Sequence, residues 1–105
     1  MSTSPLHEIE GLTVTSAEVV HDYVQLAFGD EIGLSIYNPI AITPQSISVD
    51  KLIGRIVVSA SESADAIELA FSDGVFIKVD MREQAYQGPE ALQLDRKGLP
   101  IVIWN

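Results

Sequence analysis

Cysteine is absent from this 105-residue chain, so disulfides, thiolate nucleophiles and thiolate metal sites are excluded. A reducing cytosol agrees with that, and the cytoplasm is the expected location. Basic residues are scarce too: six Lys and Arg stand against fifteen Asp and Glu, a formal net charge of −9. A field of that sign repels phosphate backbones and anionic membrane surfaces, so neither nucleic acid nor membrane is an expected partner. It would instead speed encounter with a basic protein. No apolar run approaches the ~20 residues that cross a bilayer as a helix. Residues 1–8, MSTSPLHE, lack the basic and then apolar order expected of a secretory signal.

Chemical motifs are equally sparse. The only histidines are His7 and His21, with no HExxH pair and no EF-hand spacing, so no metal is expected. Gly29, Gly33 and Gly74 have neither the spacing of a phosphate-binding loop nor a helix after them, and no G-x-S-x-G elbow supports a serine nucleophile. No cofactor is implied.

What the chain does contain is a repeat. Val24–Asp30, VQLAFGD, returns 43 residues later as Ile67–Asp73, IELAFSD. The register holds without a gap from Gly11/Gly54 to Asp30/Asp73, with nine identities in those twenty positions. Both copies alternate with period two. Val24, Leu26, Phe28, Ile32, Leu34 and Ile36 share one face in the first, and Ile67, Leu69, Phe71, Val75, Ile77 and Val79 share it in the second. Alternation of this kind marks half-buried strands. Leu12–Val20 reads as a further strand, turned at His21-Asp22. If Phe71 pairs with Val75, Ser72-Asp73-Gly74 is a three-residue hairpin loop whose last position suits a left-handed glycine. Its counterpart in the first copy is Glu31, so that loop is expected to be strained there or to differ.

The expected fold is all-β with minor α: two three-stranded antiparallel meanders packed as a small sandwich or rolled sheet, followed by a C-terminal hairpin and one short helical turn. As one domain, 1–105 divides into a loosely docked tail (1–10), unit one (11–38), a connector (39–53), unit two (54–81) and a closing segment (82–105). Pro39 and Pro44 confine the connector to an edge strand or extended crossover. Asp80–Tyr86 reads as a helical turn capped by Asp80, with Glu83 at the capping-box position. Ala91–Leu94 and Pro100–Trp104 read as a terminal hairpin around the turn Asp95–Gly98.

Tyr86-Gln-Gly-Pro-Glu-Ala91, preceded by the Phe71-Ser-Asp-Gly74 hairpin and followed by Ile-Val-Ile-Trp104, resembles a group of small bacterial proteins of uncharacterised function that share the order F-x-D-G … Y-x-G-P-E-A … V-W. The likeness covers mainly residues 54–104. Some such small acidic proteins look like immunity partners of secreted toxins, and no catalytic residues come over with the resemblance.

Tyr and Trp anchor interfaces because they bury large areas at small entropic cost. Tyr86, Gly88, Pro89, Glu90 and Trp104, with Tyr37, are therefore the candidate interface residues. The leading expectation is a non-enzymatic binding or assembly module that forms a homodimer. It rests on the surplus of apolar strand, the proline-marked edges and the lack of a catalytic constellation. An immunity-like inhibitor of a basic toxin is the alternative. A third reading, a small-ligand or metal-dependent enzyme, would need the repeated Asp22, Asp30, Asp65 and Asp73 to converge.

Overall fold

The computed structural model describes residues 4–105. Its strands are β1 (Ser16–Val20), β2 (Tyr23–Ala27), β3 (Ile32–Ile36), β4 (Ile40–Thr43), β5 (Val57–Glu62), β6 (Ala66–Phe71), β7 (Val75–Asp80), β8 (Leu92–Arg96) and β9 (Val102–Trp104), and among the described residues no α-helix occurs. They form two antiparallel sheets, β1-β2-β3-β8-β9 and β4-β7-β6-β5. All-β architecture with lone helical turns is what the alternating apolar pattern predicts.

The repeat persists in three dimensions. Ser16 pairs with Ala27 and Ser59 with Ala70; Leu26 pairs with Leu34 and Leu69 with Ile77. Each ladder maps onto the other by the same shift of 43. All six inward positions of the second copy are buried, and in the first copy only Ile32 is partly exposed. Leu26 and Leu69 are both fully buried in one shared core. Burial of each such side chain contributes roughly 1.5–3 kcal/mol before packing terms.

Each meander is extended by a strand from the segment that follows the other unit. After β3 the chain crosses over, and β4 pairs with β7 of unit two. After β7 it crosses back, and β8 pairs with β3 of unit one. The proline-flanked connector is thus an edge strand, as Pro39 and Pro44 require. Asn38, buried in the first crossover, takes a backbone bond from its own N–H to the carbonyl of Ala91 and donates Nδ2 to the carbonyl of Asp80 at 2.8 Å. One side chain therefore ties both crossovers together.

Several expectations are corrected. Residues 1–3 lie outside the described residues, but the rest of the expected loose tail is ordered packing. Pro5–Ile9 is a 3-10 turn, with Ser4 accepting from the Leu6 N–H, and Leu6 and Ile9 are wholly buried. The repeat extends back into it, because Ile9 matches Leu52 of the 3-10 turn Val49–Leu52, also wholly buried. Strand β1 begins at Ser16 and not at Leu12, since Leu12–Val14 bond to residues 54–57, where β5 begins. Gly74 has φ +77 as expected, and Asp73 joins it at +66. In the first copy Gly29 (φ +82) carries the left-handed turn, which relieves Glu31 of that conformation. The expected capping box does not form: the 3-10 turn is Glu83–Ala85, its N-cap is Arg82, and Asp80 ends β7.

Candidate functional site

Four of the six candidate interface residues meet in one place. Tyr23 opens β2 and Tyr37 follows β3. Since Val24 pairs with Ile36, the two tyrosines stand opposite one another on the outer side of the sheet. Their ring centroids are 5.2 Å apart with the planes tilted by 50°. Gln87, Gly88, Pro89 and Glu90 come over them from the loop before β8, and Asp22 of the β1–β2 turn closes the rim. The cleft encloses about 200 Å³. Its lining has two carboxylates, two aromatic rings and no cationic side chain.

Tyr86 and Trp104 are placed elsewhere, half-buried against the core. Trp104 donates its indole Nε1–H to Glu62 at 2.9 Å, joining the end of β9 to the end of β5.

A larger groove of about 730 Å³ lies on the other sheet, walled by Ala41, Ser61, Glu68 and Lys78, with Glu62, Asp65, Ala66, Asp80 and Arg82 toward one end. That end is the repeat-equivalent of the tyrosine cleft: Asp65, Ala66 and Asp80 correspond to Asp22, Tyr23 and Tyr37 at the shift of 43. There the Arg82 guanidinium grips Asp80 through two bonds, Nε to Oδ1 at 3.0 Å and Nη2 to Oδ2 at 2.7 Å. This grip, joined by the Arg82 backbone N–H, pulls the Asp80 carboxyl from its ordinary 3.8 down to about 2. The Arg82 pKa is raised in return, first by Asp80 and to a smaller degree by Asp65.

The third feature is an edge. Among the described residues strand β9 pairs only with β8 and ends its sheet. Ile103 of the strand is 46 % exposed, and Leu99 and Ile101 in the segment leading into it are 55 % exposed each. Sequence reading placed this strand in a hairpin but did not single out its apolar face, since alternation alone does not say which side is covered.

The duplicated aspartates occupy four separate, exposed hairpin turns. Asp22 lines the tyrosine cleft, Asp65 the larger groove, Asp73 stands 3.5 Å from Arg55, and Asp30 borders a shallow depression beside Ile101. Among the described residues no three His, Cys, Asp or Glu gather as metal ligands would. Comparison with known proteins returns no matching family model, no matching curated protein and no matching solved structure.

Proposed function

We propose that this protein is a non-enzymatic assembly module that associates with a second copy of itself through β9. The observation that supports this is the contrast between β9 and the other three sheet edges. At β5, the Glu10 carboxylate accepts the Ala60 N–H at 2.8 Å, and the Pro5–Ile9 turn packs on the strand. At β1, the Val49–Leu52 turn packs alongside. Strand β4 is bracketed by Pro39 and Pro44. Such devices keep a sheet edge from recruiting another chain.

Among the described residues strand β9 has only its shortness, three residues, and Pro100 two residues ahead of it. Residues 98–105, GLPIVIWN, carry no charged side chain in a chain of net charge −9. Here two copies can meet along strands that themselves bear no charged side chain, and antiparallel β9–β9 pairing about a twofold axis would cover Ile101 and Ile103 of both. Sedimentation of the full chain at tens of micromolar should give a dimer, and Ile103→Lys should give a folded monomer, because that side chain contributes little to the core. A wild-type monomer at that concentration would sink the proposal.

The acidic groove favours a second reading, an inhibitor docking onto a basic protein such as a toxin. Binding of that kind would weaken steeply with added salt.

A further inference from the structure

The two copies of the repeat place three equivalent positions at a concavity, with different contents. In unit two these are Asp65, Ala66 and Asp80, and Arg82 of the same chain lies beside them with a guanidinium bonded twice to Asp80. In unit one the aspartate is kept as Asp22, tyrosines 23 and 37 replace Ala66 and Asp80, and Pro39 stands where the arginine would be. The cation and the carboxylate that gripped it are both replaced, and what lines the cleft instead is the retained Asp22, Glu90 and two aromatic rings. Aromatic ring faces carry negative potential, and the carboxylates of Asp22 and Glu90 line the same cleft as the two rings.

We infer that the Tyr23–Tyr37 cleft is a binding site for a guanidinium group, supplied by an arginine side chain of a protein partner. A planar guanidinium stacks on a tyrosine face while its five N–H donors reach carboxylates at the edge, a combination an ammonium does not reproduce. The cleft's ~200 Å³ admits one such group, several times the ~30 Å³ that a liquid water occupies. A tilted ring pair makes a corner and not a closed cage, so the group enters from outside on a chain, as an arginine on a protein surface does. This inference does not depend on self-association, since no cleft residue belongs to β9.

The test is a titration of the full-length protein followed by NMR of the tyrosine rings, at constant ionic strength. The probes are N-acetyl-arginine methylamide, its lysine and norleucine analogues, and methylguanidinium. Saturable movement of the Tyr23 and Tyr37 signals with the arginine probe is expected, weaker with lysine and absent with norleucine. Tyr37→Leu should weaken binding about two- to fivefold, the range for one cation–π contact at an exposed site. Asp22→Asn with Glu90→Gln, which leaves both rings in place, should weaken it at least as much. Unmoved rings, equal response to norleucine, or undiminished binding by the double variant would overturn the assignment. Binding of methylguanidinium without binding of the capped arginine would overturn the side-chain source.

Discussion

Thr13 and Ile56 face each other across an isolated antiparallel bridge, and they are the same position of the repeat, 43 residues apart. The bonds around them are reciprocal. Gly11 N–H donates to the Val57 carbonyl and Gly54 N–H to that of Val14, while Val57 N–H donates to Leu12 and Val14 N–H to Arg55. A pseudo-twofold axis passes between these two residues, and it joins the β1 side of one sheet to the β5 side of the other.

The glycines beside this axis should respond alike. Gly11 and Gly54 have φ of +85 and +89, and a Cβ at either would meet nothing within 4 Å. Gly11→Ala and Gly54→Ala should each lose about 1–2 kcal/mol, the cost of holding an L-residue in the left-handed region. Urea midpoints of the two variants measure this, and widely different losses would show that the two sides of the axis are not equivalent.

The core makes the same demand more strongly. Leu26→Ala and Leu69→Ala each remove a wholly buried leucine at equivalent positions and should cost about 2–5 kcal/mol apiece. A loss below 1 kcal/mol at either one, read by thermal or chemical unfolding, would contradict the shared core.

Asn38 should matter out of proportion to its size. Asn38→Ala strands the carbonyl of Asp80 and releases the tie between the two crossovers, at a cost of about 1–3 kcal/mol. Replacement of Pro39, its exposed neighbour, by Ala should cost much less, and the comparison isolates the hydrogen bond from general perturbation of the crossover.

The Asp80–Arg82 pair predicts a pH dependence of stability. Its folded-state pKa, lowered to about 2, means the pair contributes fully above the ordinary 3.8, where folded and unfolded chains are both ionised. Between about 4 and about 2 the unfolded chain takes up the proton first, so the contribution shrinks and is gone once the folded carboxyl protonates. Melting temperatures of the wild type and Asp80→Asn should therefore differ by a constant amount above pH 5 and converge toward pH 2. A gap that widens on acidification would refute the assignment.

Much of the fold was legible along the chain. Alternating apolar residues from Val24 to Ile36 and from Ile67 to Val79 announced the hairpins, and Ser72-Asp73-Gly74 announced its own loop because few residues tolerate positive φ. The tail was misread because a 3-10 turn of five residues has too short a period to register. Only its alignment with Val49–Leu52 could have betrayed it, and there the Leu6/Val49 and Ile9/Leu52 matches are apolar without being identical. Of the candidate interface residues, Tyr37, Gly88, Pro89 and Glu90 meet in a cleft with Tyr23 and Asp22, which were not chosen with them. Tyr23 is the first residue of its strand, and its pairing with Tyr37 exists only once β2 lies beside β3.

By itself the sequence determined that two copies of one β unit exist, which face of each is apolar, and where each hairpin turns, since these depend on neighbours within a few residues. Tertiary structure alone decided that β4 joins the sheet of unit two and β8 that of unit one, that Arg82 lies beside Asp80 in the larger groove, and that among the described residues no turn packs over β9. Those outcomes depend on contacts between residues tens of positions apart, and local periodicity holds no record of which distant strand an edge will meet.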